Sequence, residues 1–454
     1  GGCDKTVPAL LMGAASANVP AILMVTGPML TSNHKGERLG ACTDCRRFWA
    51  RYRANEIDER EINEVNAKLA PTAGTCMVMG TASTMALCAE AMGMMLPDSA
   101  AIPAVMAERM RNAEATGARA VALGKERLTP DRIMTPEAIE NALRVLLAIG
   151  GSTNAIVHLA AIAGRLGFEI DLEAFDRMGR ETPVLVDLKP TGQHYMEHLW
   201  EAGGLATILR EIAPLMHGNA LTVNGKTLAE NLAAARVPEK QDVVRARSKP
   251  IFAEGGIAVL RGNLAPGGAI IKQAAATAKL MTHTGRAVVF ESLEDLANRI
   301  DDPALDVAAD DVLVLKNAGP KGAPGMPEAG YIPIPRKLAQ AGVKDMVRIS
   351  DARMSGTAFG SIVLHVTPES AVGGPLALVE NGDRIRLDVP SRRLELLVSE
   401  EELAARRSRW RAREPNDGDD RGYRRLFLET VQQADRGCDF EFLAPKVRMR
   451  VPRN

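Results

Sequence analysis

The chain has 454 residues, of which 46% are hydrophobic and 25% charged, and its 56 Lys and Arg residues equal its 56 Asp and Glu residues. This length suggests about three average domains or two larger ones, with ample chain for a sizeable core. A balanced charge and an aromatic content of 4% exclude a typical nucleic-acid surface, and no apolar run is long enough for a bilayer span, so we expect a cytoplasmic protein without nucleic-acid or membrane partners.

Short apolar segments broken by glycine and proline characterise the first half of the chain. Residues 7–15 and 22–29 predict alternating helix and buried strand. The glycine pair at residues 150–151 would end one helix, and a second helix is expected to start after residue 154. Helices are also predicted over residues 47–54, 59–69, 83–95 and 136–148. The pattern predicts an α/β domain over residues 1–240.

The composition becomes polar and charged over residues 237–250, with a proline near each end, and we place a domain boundary there. Beyond it, short β-rich runs recur between glycine- and proline-rich turns, which is typical of a barrel or sandwich over residues 241–454. The predicted strands cover residues 257–260, 287–290, 312–315, 347–349, 362–366, 384–389 and 394–398.

Three different ligand types stand side by side at Cys3, Asp4 and Lys5, directly after two glycines. Cysteine sulfur suits a soft metal such as iron or zinc, whereas a carboxylate suits a hard cation such as magnesium, so this loop could reach two metals. The alternative is an N-terminal loop with a buried cysteine. The tripeptide alone leaves both interpretations open.

Six cysteines are too few for a disulfide scaffold at this length, so metal ligation or burial is expected in a reducing compartment. Cys76 stands in a Gly-Thr-Cys turn before a predicted helix, whose amides and dipole would stabilise a thiolate. Cys42 and Cys45 form a Cys-x-x-Cys pair, which a structural or incidental role explains better than a redox pair or half of a zinc site, because zinc needs four ligands. Cys88 lies in a helical pattern and is predicted to be core.

A glycine pair precedes Ser152, Thr153 and Asn154 at the predicted start of a helix. Ser152 or Thr153 can act as an N-cap, and exposed amides and hydroxyls at such a position also suit a carboxylate or polyol ligand. His194 lies in a polar loop over residues 189–197. Because a lone histidine is more often structural, we leave it out of the catalytic set.

Five ordered stretches carry a family resemblance: residues 1–6 (GGCDKT), 74–76 (GTC), 150–154 (GGSTN), 319–328 (GPKGAPGMPE) and 351–356 (DARMSG). Together they resemble the dihydroxy-acid and sugar-acid dehydratase family, and the resemblance continues to residues 437–440. It implies a β-barrel-like C-terminal domain packed against an α/β N-terminal domain, with the active site between them. It also implies a segment before the Cys-Asp-Lys motif that supplies a further cysteine and a further acidic ligand, so we expect the chain to be a fragment.

The resemblance implies two cofactors, an iron–sulfur cluster, 2Fe–2S rather than 4Fe–4S, and Mg²⁺. Apart from the resemblance, Glu328 could be a solvated loop carboxylate and Ser355 a turn serine. By resemblance to the family, Cys3 and Cys76 are cluster ligands, and Asp4, carbamylated Lys5 and Glu328 are magnesium ligands. Ser355 is the catalytic base, and Lys5 also has a catalytic role. The implied substrate contacts are Ser152, Thr153, Asn154 and Thr357.

The implied reaction is dehydration of a 2,3-dihydroxy acid to a 2-keto acid. Residues 189–197 and 421–443 look more like the sugar-acid branch, so we favour an aldonate such as arabinonate or xylonate, acted on by a homodimer or homotetramer. The alternatives are a dihydroxy-acid dehydratase of branched-chain amino-acid biosynthesis, an inactive truncated relative, and a non-enzymatic iron–sulfur sensor. Glu328 and Ser355 argue against the sensor, which needs neither residue.

Overall fold

A computed structural model describes residues 1–412, 418–446 and 449–453. The first half of the chain is rich in helices, as the periodicity predicts. Its helices are α1 (Thr6–Ala17), α2 (Thr43–Arg53), α3 (Glu59–Asn66), α4 (Thr81–Ala91), α5 (Ala107–Glu126), α6 (Pro130–Ile133), α7 (Pro136–Ala148), α8 (Asn154–Arg165), α9 (Leu172–Glu181), α10 (Met196–Glu201), α11 (Gly204–Ile212) and α12 (Leu228–Ala234).

Helix α7 forms the centre of this half. Thr135 caps its N-terminus by accepting a hydrogen bond from the Ala138 amide, and Pro136 occupies the first turn, where its missing N–H costs nothing. The helix is buried on nearly every side and packs against α4, which is itself fully buried. Helix α4 has no solvent-exposed face, and its N-terminal end, like the buried start of α8, lies in the interior next to the candidate site.

Strands contribute little to the N-terminal half. β1 (Ser32–His34) and β2 (Glu37–Leu39) form an antiparallel hairpin, and β3 (Phe168–Ile170) pairs in parallel with β12 (Met449–Val451) near the end of the chain. The strand predicted over residues 22–29 is wrong. Amides in this segment donate to Met94 O and Gly1 O, which belong to separate parts of the chain rather than to one neighbouring strand.

The second half forms a closed barrel of eight strands with mixed directions. Around the barrel the order is β10, β11, β4, β5, β9, β8, β7 and β6. The neighbouring strands β6, β7, β8 and β9 run parallel to one another. The strands are β4 (Ala258–Gly262), β5 (Ala265–Ile271), β6 (Thr282–Phe290), β7 (Val312–Leu315), β8 (Val347–Ser350), β9 (Ile362–Thr367), β10 (Arg384–Asp388) and β11 (Arg393–Leu396). The fold class is therefore confirmed: a helix-rich N-terminal domain with short strands, and a C-terminal barrel.

Alternation along β7 explains how the barrel is filled. Val312 and Val314 face the barrel interior, whereas Leu313 and Leu315 pack outside it, in the cluster that contains residues of α13 (Leu293–Arg299). Both faces of β7 are therefore buried, which is typical of parallel strands. The remaining helices are α14 (Arg336–Gln340), α15 (Glu400–Arg409) and α16 (Gly422–Thr430).

The segment between α12 and β4 contains neither helix nor strand, but it is tied to the N-terminal domain. Val244 bridges to Val186, and Phe252 bridges to Val184. The boundary between residues 240 and 241 stays a prediction. Among the described residues, no helix is both long and apolar enough to cross a bilayer.

Candidate active site between the two domains

The loop before α1 holds three potential ligands in consecutive positions. The Thr6 hydroxyl accepts hydrogen bonds from the amides of Gly2 and Cys3, at 3.1 and 2.9 Å, and donates to the Cys3 carbonyl. This small hydrogen-bonded turn fixes the backbone just ahead of Asp4 and Lys5. The loop is therefore ordered by local bonds before any long-range contact is considered.

Lys5 joins this loop to the barrel domain. Its Nζ donates to Asp4 Oδ2 at 2.7 Å and to Glu328 Oε1 at 3.0 Å, across 323 residues of sequence. Burial opposes the charge of each group, but the mutual attraction outweighs it, so the pKa of Asp4 is lowered and the pKa of Lys5 is raised. The three residues predicted as magnesium ligands thus converge, and their role as ligands stays a prediction.

Glu328 is held from two further directions. Its Oε1 accepts from Asn154 Nδ2 at 2.6 Å, at the start of α8, and lies 3.7 Å from Arg353 Nη1. Arg353 Nε donates to the Met326 carbonyl at 2.7 Å and so braces the loop that carries Glu328. The carboxylate is oriented by both domains, whereas a solvated loop carboxylate would lack these contacts.

The donor set fits a hard cation. Asp4 and Glu328 present carboxylate oxygens to one ammonium, and carboxylate oxygens are what Mg²⁺ prefers. Within the described part of the chain, no three His, Cys, Asp or Glu side chains already surround a single point closely enough to hold a metal ion. The Lys5 ammonium supplies the positive charge between the carboxylates in this arrangement.

A pair of thiols lies close enough to the Cys3 loop to interact with it electrostatically. Cys76 Sγ is 3.2 Å from Cys42 Sγ, and Cys76 also experiences the charges of Cys3 and Asp4. The hydrogen bond between the two thiols lowers the pKa of Cys42 to about 7 and, together with burial, raises the pKa of Cys76. Sulfur donors of this kind suit an iron–sulfur cluster. Sequence reasoning did not place Cys42 here, because its neighbour in space is 34 residues away in the chain.

The loop carrying Ser355 comes from the barrel domain and meets the N-termini of α4 and α8. Ser355 Oγ lies 2.8 Å from Thr357 Oγ1, so one hydroxyl can orient the other. A Cβ added at Gly356 would lie only 2.5 Å from Ser152 Cβ, and only glycine permits so close an approach. Ser152 in turn shares a hydrogen bond of 2.7 Å with Thr81.

Lys272, at the end of β5, is a second residue that the sequence did not indicate. It is fully buried, and its Nζ donates to the Gly356 carbonyl at 3.2 Å, inside the Ser355 loop. Burial lowers its pKa to about 7. The preceding strand β5 was also missed, because Pro266 and the glycines after it weaken the strand pattern.

Several buried polar atoms near these groups have no hydrogen-bond partner among the described residues. They include Thr153 Oγ1, Asn154 Oδ1 and His158 Nε2. His158 lies one helical turn after Asn154 on α8, and burial lowers its pKa to about 3, so the ring is neutral near pH 7. Buried polar atoms normally find partners, which makes these three candidates for ligand contact.

Of the predicted substrate contacts, Ser152 bonds to the protein itself, whereas Thr153 and Asn154 each retain an unpartnered oxygen. Thr357 contacts Ser355. The loop containing His194 instead supports the scaffold: Lys189 Nζ donates to Asp44 Oδ1 at 2.9 Å. The roles of all these residues stay predictions.

Comparison with known proteins agrees with this architecture. Residues 1–231 match the dihydroxy-acid/6-phosphogluconate dehydratase N-terminal domain, and residues 242–438 match the corresponding C-terminal domain. An L-arabinonate dehydratase of Rhizobium leguminosarum bv. trifolii is 49% identical over 97% of this chain and 76% of its own length. A 6-deoxy-6-sulfo-D-gluconate dehydratase of Pseudomonas putida is 44% identical over 98% and 76%, and a dihydroxy-acid dehydratase of Thermodesulfovibrio yellowstonii is 38% identical over 97% and 78%.

Two family matches cover nearly the whole described fold, and the similarity to each relative extends over both domains. Proteins of this family typically use an iron–sulfur cluster and Mg²⁺. The chain belongs to the dihydroxy-acid/6-phosphogluconate dehydratase family and is a hydro-lyase acting on a sugar acid or a dihydroxy acid.

Proposed function

We propose that this protein dehydrates an aldonate, with a five-carbon acid such as arabinonate or xylonate as substrate, to the 2-keto-3-deoxy acid. The observation that carries this choice is the set of unpartnered polar atoms on Thr153, Asn154 and His158. A polyol can satisfy them with hydroxyl groups, whereas an aliphatic chain would leave them unpaired at a cost. The higher identity to the arabinonate dehydratase than to the dihydroxy-acid dehydratase supports the same choice.

The cofactors would be held by the residues that the two domains bring together. Asp4, Glu328 and a carbamylated Lys5 would hold Mg²⁺, and Cys3 and Cys76 would hold a 2Fe–2S cluster. When bound, the two cofactors supply Lewis acidity at opposite ends of the bond change. The contacts of Lys5 with both carboxylates support the first assignment, and the electrostatic interaction between Cys3 and Cys76 supports the second.

Ser355 would remove the proton from C2 of the substrate. Its hydroxyl lies 2.8 Å from that of Thr357, which can hold the Ser355 oxygen in place and donate to it when it is an alkoxide. The C2 electrons form the double bond to C3 as the C3 hydroxyl departs, and the proton taken by Ser355 passes to this hydroxide, which is released as water and leaves Ser355 as an alkoxide again. The enol then becomes the ketone as its hydroxyl loses a proton and C3 gains one.

A short aliphatic dihydroxy acid is the second candidate, favoured by the dihydroxy-acid dehydratase that is 38% identical over 97% of this chain. The two substrates differ beyond C3, where a sugar acid carries hydroxyls. We also propose a homodimer or homotetramer, which sedimentation velocity of the loaded protein would measure.

The test is keto-acid formation from L-arabinonate, D-xylonate and 2,3-dihydroxyisovalerate, measured with iron, sulfide and magnesium content. We expect a sugar acid to have the highest kcat/KM. A preference for dihydroxyisovalerate would refute the aldonate assignment, and no turnover of any of the three by cofactor-loaded protein that carries the segment expected before Cys3 would refute the wider proposal.

The role of Ser355 has its own test. Ser355→Ala should lower kcat by about 100-fold or more with metal content unchanged, because the hydroxyl acts in the transition state. Ser391→Ala removes an exposed hydroxyl elsewhere in the barrel domain and is the matched control. Near-normal turnover by Ser355→Ala would eliminate the alkoxide role.

A further inference from the structure

Ser355 begins a β-turn whose central peptide group lies next to its own side chain. The Ala358 amide donates to the Ser355 carbonyl at 3.0 Å, which closes a four-residue turn with Gly356 and Thr357 at its centre. The peptide group between these two central residues carries the Gly356 carbonyl on one side and the Thr357 amide on the other. The common turn types I and II differ in the direction of this central peptide, so a contact from outside the turn can fix it.

The direction of this peptide affects the Ser355 hydroxyl. The Thr357 amide donates to Ser355 Oγ at 3.5 Å, which is long for a hydrogen bond to a neutral hydroxyl. Hydrogen bonds to an ionised oxygen are shorter and stronger, so the same amide would approach the Ser355 alkoxide more closely. Thr357 Oγ1 lies 2.8 Å from Ser355 Oγ, so one residue offers the alkoxide two donors.

Lys272 holds the same peptide at its carbonyl. It directly follows β5, and its Nζ donates to the Gly356 carbonyl at 3.2 Å. The hydrogen bonds therefore form a chain that runs from Lys272 Nζ to the Gly356 carbonyl, and from the amide of the same peptide to the serine oxygen. Hydrogen bonds joined in this way polarise one another, so a donor at the carbonyl makes the amide a stronger donor to Ser355.

Other contacts hold the loop but not this carbonyl. The Gly360 amide donates to the Ala275 carbonyl at 2.8 Å, and Thr43 Oγ1 donates to the Thr357 carbonyl at 3.0 Å. Within the described part of the chain, Lys272 is the donor to the Gly356 carbonyl. The direction of the central peptide thus depends on this one side chain.

The environment of Lys272 is unfavourable for a lysine. The residue is fully buried, and no carboxylate among the described residues pairs with it, whereas Lys316, which is also buried, pairs with Glu291 at 2.9 Å. A buried charge without a partner costs stability. Residues that oppose stability in this way are expected at functional sites, where another requirement compensates for the cost.

We propose that Lys272 is a positioning residue for the catalytic base. By holding the Gly356 carbonyl, it directs the Thr357 amide towards Ser355 Oγ and stabilises the alkoxide. This inference rests on the proposed function, in which Ser355 removes the C2 proton. Lys272 acts through one peptide group and requires no contact with the substrate. Neither the sequence motifs nor the family resemblance gives it a role.

The test uses cofactor-loaded protein that carries the segment expected before Cys3, with its preferred acid as substrate. Lys272→Met removes the donor and keeps a side chain of similar length. We expect kcat to fall about 100-fold, because a displacement of about 1 Å at the reacting group costs about this factor, while KM and the iron, sulfide and magnesium content stay near the parent's values. Lys316→Met is the matched control, a buried lysine outside the turn, and should keep the parent's kcat. Parent-like kcat in Lys272→Met would overturn the inference.

A double-mutant cycle separates positioning from a general structural defect. If Lys272 acts through Ser355, adding Lys272→Met to Ser355→Ala should not lower the residual kcat further, because the hydroxyl that it positions is already absent. Lys272→Met should also melt no lower than the parent at pH 6, because it removes a buried unpaired charge. Additive losses in kcat, or a lower Tm, would show that the lysine supports the fold and would overturn the inference.

The failure of this inference can be told apart from the failure of the proposed function. If the parent converts its substrate and Ser355→Ala is impaired while Lys272→Met is parent-like, only the role of Lys272 is refuted. If the parent converts none of the three acids, or Ser355→Ala keeps near-normal turnover, the proposed function is refuted and this inference with it.

Discussion

Lys272 combines complete burial with a charge, and its replacement by methionine should change how stability depends on pH. Its pKa in the folded protein is about 7, against an ordinary value of 10.5, because burial penalises the ammonium. Below pH 7 both folded and unfolded chains carry the proton, and the folded state bears the full penalty. Between pH 7 and pH 10.5 the folded state loses its proton first, so this group makes stability rise with pH.

The size of the effect follows from the shift. A fall in the pKa of Lys272 from 10.5 to about 7 corresponds to roughly 5 kcal/mol, which is the upper bound for the penalty at low pH. Methionine has a similar length and no charge, but it loses the hydrogen bond to the Gly356 carbonyl, worth about 1 kcal/mol. Lys272→Met should therefore stabilise the protein at pH 6 and have little or slightly negative effect near pH 10.

Thermal unfolding of cofactor-free protein between pH 6 and pH 10 measures this difference. For a domain of this size, 1 kcal/mol corresponds to roughly 2–4 °C in Tm, so the variant should melt several degrees higher at pH 6, with the gap closing as pH rises. Lys316→Met is the control, since Lys316 pairs with Glu291 at 2.9 Å. Parallel Tm curves for the parent and Lys272→Met would refute a penalty from buried charge.

Three further substitutions test separate parts of the structure. Glu328→Gln should weaken Mg²⁺ binding at least 10-fold by titration calorimetry, because one of two carboxylates loses its charge; unchanged affinity would exclude it as a ligand. Gly356→Ala should reduce kcat/KM at least 10-fold with the cluster spectrum intact, since the added Cβ would meet Ser152 Cβ at 2.5 Å, and parent-like kinetics would contradict this close approach. Arg348→Met should lower the free energy of unfolding by about 3–5 kcal/mol in denaturant titrations, because it leaves the Asp345 carboxylate, whose side chain is 7% exposed, without its cationic partner, whereas a loss below about 1 kcal/mol would show that the pair is dispensable.

The sequence predicted most elements because their signals are local. The limits of α7 were predicted correctly, since Thr135 and Pro136 mark its start and the glycine pair its end. β7 was predicted correctly because four consecutive apolar residues lie between turns. The segment over residues 22–29 has the same apolar character, but its amides bond to scattered partners, which no local pattern can reveal.

The sequence motifs indicated which residues belong to the candidate site, but they could not show which residues contact one another there. The resemblance indicated Asp4 and Glu328, and the structure brings both to Lys5. Cys42 and Lys272 were missed for a physical reason: each acquires its environment from segments distant in sequence. The local sequence around a cysteine at the start of a helix, or around a lysine after a glycine-rich strand, carries no signal of these tertiary contacts.

The contact between Lys5 and Glu328 joins residues that the ribosome makes at different times. A ribosome adding roughly 5–20 residues per second needs roughly 16–65 s to make the 323 residues that separate them. Throughout that interval the nascent chain displays Asp4 and Lys5 without their carboxylate partner from the barrel. An N-terminal domain that folds around α7 during synthesis would therefore hold Asp4 and Lys5 before Glu328 has been made, and the two carboxylates can meet at Lys5 only after the second domain has emerged and docked.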